Sequence, residues 1–124
     1  MEKLRYKPGG EKYGFILFPA GYGDKWDRVK EEDHLFIYSS DFEYIIESVK
    51  KIYPFIDPET EEPQEFFDVC GMNCIPIAEW NKILINLQEK EYKDIYLKKF
   101  IDRFCSWISD KKRYSDEIMI WGTL

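Results

Sequence analysis

A chain of 124 residues, 44% hydrophobic and 34% charged, is one domain long enough to bury a core without disulfides or metal. Its 18% aromatic content and formal charge of −6 describe a packed interior beneath a charged surface, which excludes disorder. No apolar run approaches the roughly 20 residues of a membrane span, and the N-terminus lacks the apolar stretch of a signal peptide. Three cysteines, an odd number without a secretory signal, point to a reduced cytoplasmic setting.

The charge is unevenly placed. Lys and Arg outnumber Asp and Glu seven to four in residues 1–30, fall to two against twelve in 31–68, and recover to nine against eight in 69–124. Phosphate binding needs a basic stripe, so nucleic acid is disfavoured as a direct partner and a basic protein is favoured.

In chain order, residues 1–12 are polar around Pro8-Gly9-Gly10 and read as a loose lead-in or a turn. The short apolar run Gly14–Phe18, stopped by Pro19, reads as a strand. Residues 20–33 form a loop with Gly21, Gly23, Tyr22 and Trp26. Aromatics on such a loop are either lids over the core or contact residues. A second strand is expected over 34–38. Ser40 and Glu43 have capping-box spacing, and Phe42, Ile45, Ile46, Val49, Ile52 and Tyr53 share one helical face, predicting a helix over about 41–53 that Pro54 ends. Residues 54–66, with Pro54, Pro58 and Pro63 and no basic residue, read as an exposed, partly extended connection.

The central unit runs from Phe66 to Leu87. Phe67 and Val69 alternate as in a half-buried strand over 66–70, Gly71 suits a positive φ at the turn that follows, and Asn73 is common in such turns. Pro76 fits a helix's first turn and Glu79 sits near its positive end. Ile77, Trp80, Ile83, Leu84 and Leu87 then form one stripe, predicting a helix over about 76–88 with Trp80 in the core. A third helix, about 93–110, buries Leu97, Phe100, Ile101, Phe104, Trp107 and Ile108, and a last strand covers 117–121. The expected fold is α+β: one domain, 1–124, with three helices packed on a small, mostly antiparallel sheet.

No catalytic constellation is visible. Cys70 and Cys74 make a C-x3-C pair, which with Cys105 and His34 could supply four zinc ligands. That spacing is a weak signal, and buried free thiols are the ordinary explanation, so no metal or cofactor is expected. A Cys–His nucleophile would need an orienting group and an oxyanion site that nothing marks out. Gly21-Tyr22-Gly23 is too short for a phosphate loop, and Asp57 to Asp68 lacks the alternation of a calcium loop. The acidic run is either a solvated face or a partner surface.

Residues Phe67, Asp68, Gly71, Asn73 and Ile75, followed by Trp80 on a helix, give the pattern F-D-x-x-G-x-N-x-I. From Phe66 onward the chain resembles the immunity proteins of polymorphic toxin and contact-dependent growth inhibition systems. Pro76 departs from the Ser or Asp helix cap usual there, though both start a helix. The resemblance implies a role without catalytic residues: a cytoplasmic inhibitor that binds a toxin domain. The acidic middle third makes a basic domain of nuclease type, occluded at its active site, the expected partner of a monomer or weak dimer. The residues expected to meet that partner are Asp57, Glu59, Glu61, Glu62, Glu65 and Asp68, with Glu31, Glu32, Asp33, Tyr22 and Trp26 as a second group. Two other classes stay open. One is an interaction or oligomerisation module using the terminal strand as an edge; the other is an enzyme whose cysteines and His34 gather in a pocket.

Overall fold

The computed structural model describes residues 1–7, 9, 12–21 and 31–123. Its main sheet has five strands: β1 (Glu2–Leu4), β2 (Gly14–Ala20), β3 (Leu35–Tyr38), β6 (Met72–Pro76) and β7 (Glu117–Gly122), in the order β1-β3-β2-β7-β6. Only β1 and β3 run parallel; the other three pairings are antiparallel. A separate two-stranded hairpin joins β4 (Phe55–Ile56) to β5 (Pro63–Gln64). The helices are α1 (Ser39–Lys50), α2 (Ile77–Glu89) and α3 (Ile95–Lys111). The α+β class and three helices follow the expected periodicities.

Alternation along the strands turns Phe15, Leu17, Leu35, Ile37, Ile75, Ile118 and Ile120 to one face, all buried. The helices close over them with Phe42, Ile45 and Val49 from α1, the Trp80 to Leu87 stripe from α2, and Phe100, Ile101, Phe104 and Ile108 from α3. Trp80 is fully buried, and its indole N–H donates to the Ile118 carbonyl at 3.0 Å, so the largest core side chain also ties α2 to β7. Trp107 is only half-buried at the margin of the core, beneath the Lys111 ammonium.

Several local expectations change. Residues 2–4 are not a loose lead-in: they form the edge strand β1, and Leu4 enters the core. The backbone N–H groups of Tyr6 and Lys7 then donate to the buried Asp41 carboxylate at 2.9 and 3.1 Å. That same clamp replaces the expected capping box. Helix α1 starts at Ser39 after Tyr38, with no side-chain cap, and the carboxylate in its first turn reaches the N-terminal segment instead. Helix α3 starts at Ile95 because Asp94 caps it, accepting from the Tyr96 N–H at 2.8 Å. The terminal strand β7 pairs with β2 on one side and β6 on the other, so it offers no free edge. The edges of the sheet are β1 and β6.

The largest correction lies in the central unit. Residues 66–70 are not a strand; they form the turn leading into β6. The cause is Asn73, buried at 6% exposure, whose amide does the work of a neighbouring strand. Its Oδ1 accepts from the Asp68 N–H at 2.8 Å, and its Nδ2 donates to the carbonyls of Asp68 (2.8 Å), Ile120 (3.0 Å) and Gly71 (3.3 Å). The Asp68 carboxylate accepts from the Cys70 N–H at 2.9 Å, an Asx turn. Gly71 does not take a positive φ; a Cβ there would meet the Asp68 carboxylate and push it out of the Asx turn. Phe67 plugs the core beside Phe15, Phe42 and Tyr53, while Phe66 turns outward.

Candidate functional site

The acidic connection is a folded hairpin, not an extended strap. Phe55 pairs with Gln64 and Ile56 with Pro63. The tip is built by Asp57: its N–H donates to the Glu62 carbonyl at 2.9 Å, and its carbonyl accepts from the Glu61 N–H at 2.8 Å. Its carboxylate accepts from the N–H groups of Glu59 (2.8 Å) and Thr60 (3.3 Å). Glu61 closes the turn at φ 60°, a left-handed conformation that residues other than glycine adopt rarely. Asp57 is only 6% exposed, so this member of the expected acidic surface builds the turn and cannot dock a partner.

Glu59, Glu61, Glu62 and Glu65 are exposed, and no Lys or Arg occurs between Lys51 and Lys82 to neutralise them from within the chain's own segment. Two apolar side chains stand among them: Ile56 is 62% exposed and Phe66 is 74% exposed. Sequence reasoning placed Phe66 in a strand and passed over Ile56. The available signal was an isolated large apolar residue within an acidic, proline-rich segment that has no periodic face to bury it. Between the strands a notch of about 210 Å³ is lined by Pro54, Phe55, Ile56, Pro63 and Glu65.

The other expected contact residues separate into different environments. Asp68 is exposed, but its carboxylate holds the Asx turn described above. Glu31, Glu32 and Asp33 form a 3-10 turn before β3. Glu32 is exposed there, while Asp33 is half-buried and pairs with Lys111 at 3.4 Å on the last turn of α3. Tyr22 and Trp26 lie outside the described residues. The two acidic groups are thus held by different elements, and the hairpin is the one whose carboxylates have no side-chain partner among the described residues.

The cysteines and His34 do not converge. His34 precedes β3, its ring tilted against Phe18, whereas Cys74 lies in β6; three strand spacings, about 14 Å, separate those strands. Cys105 is buried on α3, and Cys70 is exposed in the turn, which departs from three buried thiols. Burial pushes the half-buried Cys74 thiol up to about 11, with the charges of Glu117, Asp57 and Glu59 adding to the effect. Burial and then Asp102 push Cys105 to about 11 as well. Both environments disfavour the thiolate a nucleophile or metal ligand needs. Among the described residues, no group of three or more His, Cys, Asp or Glu side chains is placed to hold a metal ion.

A wider cleft of about 420 Å³ between β1 and α3 is lined by charges of both signs, Glu2, Asp102 and Arg103, over Leu4, Leu35 and Trp107. Among the described residues no helix is long and apolar enough to cross a membrane. Comparison with protein-family models, with curated proteins and with solved structures gives no significant match.

Proposed function

We propose that this chain is an immunity-type inhibitor that neutralises a basic, nuclease-type toxin domain in the cytoplasm by laying its acidic hairpin over the toxin's cationic active-site face. The observation that carries the reading is a pre-formed hairpin with four exposed glutamates, on which Ile56 is 62% exposed and just beyond which Phe66 is 74% exposed. Exposed apolar side chains beside single-sign charge suit a protein interface, where buried anchors set residence time and rim charges speed encounter. The turn bonds of Asp57 fix the segment beforehand, so docking loses little conformational entropy. The inhibition is steric and electrostatic and requires no group on this chain to react.

The test is co-expression with the C-terminal domain encoded by the reading frame immediately upstream. The wild-type chain should relieve growth arrest and co-elute with that domain. Phe66→Ala should shorten the complex's lifetime, and changing Glu59, Glu61, Glu62 and Glu65 together to glutamine should slow its formation and flatten its salt dependence. An upstream product that neither arrests growth nor binds this chain overturns the proposal.

A further inference from the structure

The notch at the base of the hairpin has a chemistry of its own. It is lined by Pro54, Phe55, Ile56 and Pro63, and Glu65 is the one charged residue lining it among the described residues. We infer that this notch is a socket for a single long basic side chain, an arginine or lysine presented by the protein partner. The apolar walls suit a methylene stem, and the carboxylate suits the cation at its end, the division of labour by which long basic side chains cover apolar surface. A purely apolar guest would strip water from Glu65 without giving it a partner, and an acidic guest would be repelled. About 210 Å³ is room for one such side chain and not for a helix or a strand.

The socket is pre-organised. The two prolines have fixed φ angles, the strands pair through Phe55–Gln64 and Ile56–Pro63, and the Asp57 turn locks the tip. The chain cannot fill the socket from nearby in sequence, since residues 52–81 contain no Lys or Arg. This inference deepens the proposed function and takes the partner's protein nature from it, but the chemistry of the socket can be tested without the partner.

The experiment is an NMR titration of the intact chain with N-acetyl-arginine amide, a monocation with neutral ends, and with N-acetyl-norleucine amide, which has the same neutral ends and an uncharged alkyl side chain. The arginine probe should move the Ile56 methyl and Glu65 amide resonances, and the norleucine probe should not. Glu65→Gln should weaken the arginine response roughly fivefold to tenfold. The triple change of Glu59, Glu61 and Glu62 to glutamine should leave most of it in place, because those side chains do not line the notch. Absence of any arginine-dependent shift at Ile56 and Glu65 overturns the inference. So does an equal response to norleucine, or a triple variant that loses as much as Glu65→Gln, which would reveal only diffuse acidic attraction. A silent notch alongside intact protection from the upstream toxin would reject the socket and leave the inhibitor reading standing. A responsive notch with no toxin binding would reject the inhibitor reading and leave the socket.

Discussion

The turn from Phe67 to Ile75 and the hairpin from Phe55 to Glu65 lie close together in the chain, and both are rich in polar groups, yet they use them in opposite ways. In the turn, Asn73 and Asp68 direct their side-chain bonds inward to the backbone of the turn and of β7. In the hairpin Asp57 and Thr60 do so at the tip, and four glutamates point to solvent. Side-chain length separates the two. An aspartate or asparagine reaches main-chain N–H groups two or three residues along and so builds turns, whereas a glutamate overshoots and is left for solvent or a partner. Asp41, Asp57, Asp68 and Asp94 all accept backbone N–H bonds. The most conspicuous motif of the sequence is therefore a folding device, and the plainer acidic stretch beside it offers the available surface.

The largest effects should come from the turn and the helix it launches. Trp80→Ala removes a fully buried side chain and should cost about 3–5 kcal/mol. Asn73→Ala leaves the Asp68 N–H and the Ile120 carbonyl without that amide and should cost about 2–3 kcal/mol. Trp107→Ala, at a half-buried position, should cost only about 1–2 kcal/mol. Denaturant melts of the three variants rank them directly, and an Asn73→Ala protein as stable as wild type would remove the basis for assigning the motif to folding.

Asp57 is the hairpin carboxylate that behaves like the turn, so its loss should separate it from the neighbouring glutamates. Asp57→Ala should cost about 1–2 kcal/mol through the two backbone N–H groups it satisfies. Cys74 reports whether the hairpin stays in place, because Asp57 and Glu59 act on its thiol electrostatically. A thiol held near 11 is only about one part in a thousand thiolate at pH 8, and its alkylation should rise roughly tenfold per pH unit up to that range. Exposed Cys70 should be modified first in the wild type, as mass spectrometry of the timed reaction can establish. Asp57→Ala should speed the Cys74 reaction by loosening the hairpin, and an unchanged rate would show that the turn bonds do not hold it.

What the sequence made legible was whatever periodicity controls. Three helices lie within a few residues of their expected bounds because each carries an apolar stripe, and β2, β3 and β7 are short apolar runs, although β2 continues through Pro19, expected to stop it, as far as Ala20. Illegible were elements fixed by single long-range polar contacts. Strand β1 has three residues, too few to show a period, and is held in part by Asp41 more than thirty residues away. The turn at 66–70 looks like a strand because Phe67 and Val69 alternate, and only the Asn73 amide decides otherwise. In the candidate site, the charge of Glu59, Glu61, Glu62 and Glu65 was readable from composition. The burial of Asp57 and the exposure of Phe66 were not, since they depend on how the hairpin closes.

The smallest expected effect tests the other side of the comparison. Changing Glu59, Glu61, Glu62 and Glu65 together to glutamine removes four charges and, if these side chains serve no folding role, should move stability by no more than about 0.5 kcal/mol. The sign should be slightly favourable at low salt. Four like charges on one short hairpin repel one another, and nothing basic lies between Lys51 and Lys82 to offset them. In 1 M salt the gain should vanish, because the Debye length falls to about 3 Å and exposed charges farther apart than that are largely screened. Melting the quadruple variant beside Asp57→Ala at two ionic strengths therefore gives a direct contrast: one carboxylate that matters to the fold against four that do not. If the quadruple variant is instead the less stable of the two, at least one of these glutamates holds the hairpin together. The surface would then be part of the scaffold, and the docking role proposed for it would lose its physical basis.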